Sequence, residues 1–453
     1  MRKWGIVGGL LLVVVAAWPL MVGMQVASTV TEAHEVRLGS VELRHQMLEY
    51  ERGYLGATGR SRLVIEDGGQ RFVLEMSHRV RHGLLGARGD SFVDLDALEA
   101  PPGSPIPHLL RSLDLQVHTR SGLTGGVTAR AAFDALRLDL ATVPEFAEHL
   151  GSADPVWLEL GPGQGRFAWS AEQILLSLDL PDLRLSDRHT DLRLEQARYV
   201  TVFKADPDGV FGLLPDYEGG LGAARAVLTA GDGVLELQRP RMDFLQSTHA
   251  ELMDSHARLQ LDTARLRRGS DEVLALQALD LRTGMLRWHR ATLVDLIAQV
   301  QALEDRGLAP DQRNALIGAS VADALQGMIE DRPALTLHLS LNEVPAQQVV
   351  LDSEFGLRGT RQDFATRPLE TLALDMRVGL GLEWADAVAR AWPELGLDAW
   401  LQSAAAQGWL HRDDEARQWR GHLEVEAGRV RVNGEDRTAA LMATLFALAG
   451  GMF

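Results

Sequence analysis

The 453-residue chain contains no cysteine, which excludes disulfides, thiolate catalysis, cysteine-ligated zinc and iron–sulfur clusters in any compartment. Lysine is almost as scarce. Lys3 and Lys204 are the only two, and every other basic residue is an arginine. Those arginines are scattered, and a coding preference accounts for the bias without assigning it a function. Basic residues are outnumbered 45 to 62 by acidic ones, for a net charge of −17. A surface of that sign repels phosphate backbones, so nucleic acid is not an expected partner. The chain also lacks an HExxH pair, a Gly-x-Ser-x-Gly elbow, a Walker loop and a Ser-x-x-Lys motif. No catalytic residue, metal ligand or cofactor is therefore assigned.

What is present is enough to build a large core. Hydrophobic residues make up 46% and charged residues 24%, which excludes a disordered chain and a small stapled scaffold. The length suits two or three domains, or one elongated β structure.

From Trp4 to Met24 the chain runs twenty-one residues without a charge, preceded by Arg2 and Lys3. A helix of that length spans roughly 30 Å, the thickness of a hydrocarbon core. The basic flank keeps the amino end cytoplasmic and sends the body across the membrane. A cleaved signal peptide competes with this reading, since Val26-Ala27-Ser28 offers small residues for processing. The run exceeds the signal core of about 7 to 15 residues, which favours an anchor, and Pro19 is expected to kink it.

Beyond the anchor, apolar and polar residues alternate. Leu335, Leu337, Leu339 and Leu341 alternate with Thr336, His338 and Ser340, and Leu372, Leu374, Met376 and Val378 repeat the pattern. Period two is the mark of a strand with one buried face. Asp139, Asp179, Asp262, Asp280 and Asp375 follow leucines in such runs and are expected on the opposite, solvated face. Asp67-Gly68-Gly69, Gly161 to Gly165, Gly231-Asp232-Gly233 and Asn433-Gly434 read as turns between strands. No helix start follows Gly161, so it does not form a phosphate loop. Asp206-Pro207-Asp208-Gly209 lacks the further acidic ligands of a calcium loop and reads as a turn.

Helical periodicity enters later, with Leu293, Leu296, Ile297, Val300 and Leu303 on one face. A second helix after Pro310 carries Leu316, Ile317, Val321, Leu325, Met328 and Ile329, and a third region over 384–407 breaks at Pro393. A strand pair over 419–425 and 429–432 follows, then an uncharged tail too short to span a membrane, expected to be buried or to lie at an interface. The expected organisation is an anchor over 1–30, a β-rich body over 31–290, a helical segment over 291–333 and a β/α region over 334–453. The fold class is α+β, predominantly antiparallel β. With few helices to cover the apolar strand faces, the sheet must close on itself as a sandwich or open barrel, or curl into a trough.

Two stretches near the start stand out. Tyr50-Glu51-Arg52-Gly53-Tyr54-Leu55-Gly56-Ala57 opens a long strand, and Gly53 is expected to mark a bulge, with Tyr50 and Tyr54 packing on one side and Arg52 paired to an acid. An Arg52 reaching a lipid phosphate is the functional alternative. His82-Gly83-Leu84-Leu85 follows a strand, and His78 shares its face, the pair too far apart to chelate one ion easily. Both read as core-edge or surface histidines. Near the end stand Gly428-Arg429-Val430-Arg431-Val432-Asn433-Gly434 and Gly451-Met452-Phe453.

These segments resemble the YdgA family of exported bacterial proteins, which carry a domain of unknown function. Leu84 replaces the proline common after the family's histidine-glycine turn. The resemblance implies an inner-membrane anchor and a body in the periplasm, and it marks Tyr50, Arg52, Gly53, Tyr54, His82, Gly83, Asn433 and Gly434 as the ligand-binding or structural motif. The layout is also similar to AsmA-type envelope proteins, whose troughs are associated with lipid handling, a likeness of architecture only. The expected function is non-enzymatic, binding an apolar ligand such as lipid or an envelope partner. Docking to another membrane protein without a ligand groove is the alternative, and a hydrolase comes third.

Overall fold

The computed structural model describes residues 34–439, except 39–40, 54, 68–69, 84–85, 103, 105, 114–115, 123–126, 144–153, 171, 206–213, 305 and 307. The expected membrane helix over 4–24, Tyr54, the loop at Asp206 and the tail from residue 440 lie outside the described residues. No helix among the described residues is long and apolar enough to cross a membrane. The chain forms two compact units, Met1–Gly231 and Asp232–Phe453, and both are mainly antiparallel sheet with a few helices.

In the first unit the alternating sequence becomes a ladder of neighbouring strands. They are β1 (His34–Leu38), β2 (Val41–Arg52), β3 (Gly56–Asp67), β4 (Gln70–Gly83) and β5 (Gly86–Glu99), then, after a short helix α1 (Ile106–Ser112), β6 (Gln116–Gly122) and β7 (Val127–Phe133). The chain continues through β8 (Leu136–Asp139), β9 (Trp157–Leu160), β10 (Gly163–Trp169), β11 (Gln173–Ser186), β12 (Thr190–Lys204), β13 (Asp216–Gly222) and β14 (Arg225–Ala230). Successive strands pair from β1 to β7, and the sheet then runs β7, β10, β11, β12.

The glycine-rich stretch at Gly161 is not a turn. β9 and β10 do not fold back on each other; both lie along the same edge of β11 in one continuous register, Leu160 facing Leu183 and Gln164 facing Asp179. Gly161 N still donates to Asp182 O at 2.8 Å, so only the step at Pro162, which has no N–H, drops out of the ladder. The same break recurs on the neighbouring strands. β7 and β8 share one register against β10 and β9, and β13 and β14 share one against β12. Pro181 and Gln196, the latter at φ +53°, fall at the matching place between β11 and β12. A line of interrupted pairing thus crosses the strands at residues 134–135, 161–162, 181, 196 and 223–224.

The second unit holds β15 (Gly233–Gln238), β16 (Arg241–His249), β17 (Leu252–Arg268) and β18 (Asp271–His289). The helices expected from period 3.6 follow as α2 (Arg290–Glu304) and α3 (Pro310–Met328). Met328 and Ile329 are fully buried, whereas Leu316 and Val321 on the same predicted face are exposed. Full burial on α3 is confined to its carboxyl-terminal end. Next come β19 (Ala334–Leu341), β20 (Val349–Leu357), α4 (Arg361–Thr366), β21 (Leu372–Gly381), α5 (Leu382–Ala391) and α6 (Leu397–Ala406). The unit ends with β22 (His411–Asp413), β23 (Gln418–Glu426), β24 (Arg429–Val432) and β25 (Glu435–Asp436). Ala385, Leu401, Ala404 and Leu410 form a core beneath α5 and α6, with Leu380, Leu397 and Trp419 packed around it.

Candidate functional site

The inward face of the first unit changes residue size across the sheet. Its middle strands carry small side chains there, Ala87, Gly89 and Ser91 on β5 and Ala129 on β7, while the flanking strands carry Met47, Met76, Phe167 and Trp169. Large groups standing around small ones cannot close to interior packing density, and they leave a cavity of about 410 Å³. Residues of β2, such as Leu43 and Tyr50, and of β11, Ile174, line the same cavity, although six strands stand between them in the sheet. The sheet of this unit therefore curves so that strands with six others between them line one cavity. The volume falls within the usual range of small-molecule sites.

One polar seam interrupts the apolar wall. His78 on β4 lies directly opposite Ser91 on β5 and diagonal to Ser61 on β3. Its Nε2 sits 2.7 Å from Ser61 Oγ and its Nδ1 2.8 Å from Ser91 Oγ. Both serines are fully buried. Burial, with His45 nearby as a second and smaller cause, lowers the His78 pKa to about 4, so the ring is neutral at pH 7. A neutral imidazole donates through one nitrogen and accepts through the other, which satisfies both hydroxyls without placing a charge in the wall. Tyr50 stands in the same lining, and its hydroxyl is buried with no hydrogen-bond partner among the described residues. Desolvation raises the Tyr50 pKa, against a smaller opposing effect of Arg52.

The second unit also has a concave face, of about 1270 Å³, but its chemistry is different. Arg258, Arg282, His338, Asp352, Asp375 and Arg377 contribute to it, and they close on carboxylates of the same sheet. Arg258 and Arg282 converge on Asp280 at 2.7 and 2.6 Å, and His338 meets Asp352 at 2.5 Å. The two guanidiniums, Arg258 first, hold Asp280 well below the usual carboxylate range. Charges that satisfy one another leave little to recognise a ligand, so the apolar cavity is the better candidate.

A family model described as a bacterial protein of unknown function (DUF945) matches residues 1–438. The chain belongs to the DUF945 family. No curated protein and no solved structure matches it.

The residues marked from the sequence of this DUF945 chain fall into two groups. Tyr50, Arg52, Gly53, His82 and Gly83 come together at one end of β2, β3 and β4. The stretch from Tyr50 does not open a strand; it closes β2 and turns into β3, with Gly53 N donating to Gly56 O at 2.7 Å and Arg52 facing Ala57. The bulge lies earlier, between Met47 and Glu49, because the two-strand register slips there rather than at the glycine. Gly56 is the position that needs a glycine, since a Cβ there would stand 2.6 Å from Val80 O. His82, 8% exposed, ties the two motifs together by donating its backbone N–H to Leu55 O at 2.9 Å. Arg52 is exposed at the strand end. Gly83 pairs with Gly86 across the turn into β5.

Asn433 and Gly434 belong to the second unit and have a structural task. They form the two-residue connection of β24 and β25, both at positive φ, +53° and +85°, the geometry of a type I′ hairpin. The Asn433 side chain accepts from His422 N at 2.9 Å and donates to Gly408 O at 2.8 Å.

Sequence reasoning missed Ser61, Ser91 and the setting of His78. The signal was available: all three occupy inward positions of alternating strands where an apolar residue is expected. Of the five aspartates singled out earlier, Asp280 is the one held by two arginines, and the other four make ordinary local contacts. Asp179 meets Arg198 at 3.3 Å, Asp262 meets Arg239, and Asp375 meets Arg377 at 3.3 Å, while Asp139 accepts from Ala141 N and Val156 N.

Proposed function

We propose that this DUF945 protein is a non-enzymatic cell-envelope protein, held by its amino-terminal apolar segment in the inner membrane, whose periplasmic body binds an apolar, lipid-type ligand in the first unit. The observation that carries the reading is the trough wall of Leu43, Met47, Leu63, Met76, Phe167 and Ile174 around a cavity of about 410 Å³. Burial of apolar surface in such a site favours binding by roughly 25 cal/mol per Å². The buried Tyr50 hydroxyl supports a ligand bearing at least one hydrogen-bond acceptor. The neutral His78 seam argues against a site built for a free carboxylate deep in the wall. The charge-free run from Trp4 to Met24 and the YdgA-like stretches at Tyr50 and Asn433 support the export and the anchor.

The test is mass spectrometry of organic extracts from the full chain purified out of membranes. A defined lipid class should be recovered from the parent protein and lost from Ala129→Phe, in which a ring intrudes into the middle of the cavity. Equal recovery from both variants would refute the assignment of the site.

A further inference from the structure

The face of the first unit's sheet opposite the small inward residues of β5 and β7 carries rows of arginine. Its outward positions on β4, β5, β6, β7 and β10 read Arg79 and Arg81, Arg88 and Asp90, His118 and Arg120, Arg130, and Arg166. Register sets these into two adjacent rows. In the first, Arg81 faces Arg88 and Arg88 faces Arg120. In the second, Arg79, Asp90, His118, Arg130 and Arg166 follow one another across the five strands. Asp90 is taken by His118 at 2.9 Å. All six arginines are exposed, and none meets a carboxylate among the described residues.

That arrangement is unexpected in a chain of net charge −17. Elsewhere on the same sheet Arg60 and Arg62 both reach Glu75, and Arg184 reaches Asp191. Like charges placed directly opposite on neighbouring strands oppose folding, and three such contacts occur here side by side: Arg81 with Arg88, Arg88 with Arg120, and Arg130 with Arg166. An external anion relieves them. Five strands span about 20 Å, too broad for one phosphate ion and suited to a planar array of them. Guanidinium groups match phosphate oxygens in bidentate geometry. Phe92, half exposed, lies on the same face in the row next to Arg79 and Asp90, and aromatic rings favour the headgroup level of a bilayer.

We infer that the Arg79–Arg166 face rests on the anionic phospholipid headgroups of the membrane in which the amino-terminal segment is held. The inference uses the anchor of the preceding reading; Arg88 and Arg120 also contribute to the lining of the cavity, so membrane contact and not ligand recovery is the readout. Because the chain has no cysteine, Ser77→Cys places a single fluorescent label on this face, opposite Phe92. The full chain is reconstituted into vesicles of phosphatidylcholine alone or of phosphatidylcholine with phosphatidylglycerol, each carrying a headgroup-nitroxide quencher. Flotation with the neutral vesicles reports the anchor by itself. Quenching of the label should be strong only with phosphatidylglycerol and should fall at high salt. The triple variant Arg81→Gln, Arg88→Gln, Arg120→Gln should weaken the contact by about 100-fold, and Arg88→Gln alone by about fivefold. Both variants should unfold no more easily than the parent, since each removes like-charge contacts. Equal quenching in the two vesicle types, or undiminished quenching in the triple variant, overturns the inference. Shielding of the label by an acidic polypeptide but not by anionic vesicles also overturns it and assigns the face to a protein partner.

Discussion

His78 joins two fully buried hydroxyls, and the consequences of changing it follow from what each partner loses. His78→Ala leaves Ser61 and Ser91 without their acceptor and donor. An unsatisfied buried polar group costs about 1–3 kcal/mol, so the variant should lose about 2–4 kcal/mol in denaturant unfolding, while Ser91→Ala alone should lose about 1 kcal/mol. The ring also predicts a pH dependence. Its pKa is about 4 in the folded protein against 6.5 for an ordinary histidine, so between those limits the unfolded chain binds a proton that the folded one does not. Stability from this group is complete above pH 6.5 and is lost as the pH falls towards 4, by of order 2 kcal/mol given the partial exposure of the ring. His78→Gln should flatten that segment of the stability curve relative to the parent. A parent and variant falling in parallel would show that His78 is not buried as a neutral ring.

At the scale of elements, the hairpin at Asn433 makes a separate prediction. Asn433→Ala removes three side-chain bonds to the backbone, two of them part-buried, and leaves a β-carbon residue at φ +53°, so it should destabilise the second unit by about 2 kcal/mol. Asn433→Gly keeps the backbone geometry and should lose less; the difference between the two, measured by thermal unfolding, isolates the conformational part. The hairpin was readable in advance because Asn-Gly supplies the two positive φ angles that a two-residue connection needs. Gly161 to Gly165 misled for a related reason. Glycine and proline interrupt a ladder whether or not the chain reverses, and only the partner strand β11, which pairs with both β9 and β10, decides between a turn and a break. Period two placed the strands at Leu335 and Leu372 within a few residues, and period 3.6 placed α2 and α3. It did not reveal that Leu316 and Val321 stay exposed, since burial depends on what packs against a helix face. The arginine face was equally hidden: the residues lie far apart in the sequence and become neighbours only through register.

At the scale of the whole molecule, the curl of the first unit's sheet is what sets an ordinary amphipathic ladder around a cavity. An inward leucine looks the same in a closed sandwich and in a trough, so the sequence left both open. The run of small inward residues, Ala87, Gly89, Ser91 and Ala129, is the local cause of the space between the larger walls. Filling that space should not harm the fold if it serves a ligand and not packing. Ala129→Phe should therefore unfold within about 1 kcal/mol of the parent while losing its bound lipid. The decisive measurement is photo-crosslinking of a diazirine-bearing fatty acyl lipid to the full chain in membranes, with adducts located by peptide mass spectrometry. Adducts concentrated on Met47, Met76, Phe167 and Trp169, and removed by Ala129→Phe, are the predicted result. Adducts confined to exposed side chains such as Leu55 and to the apolar run over 4–24, unchanged by that substitution, would contradict it.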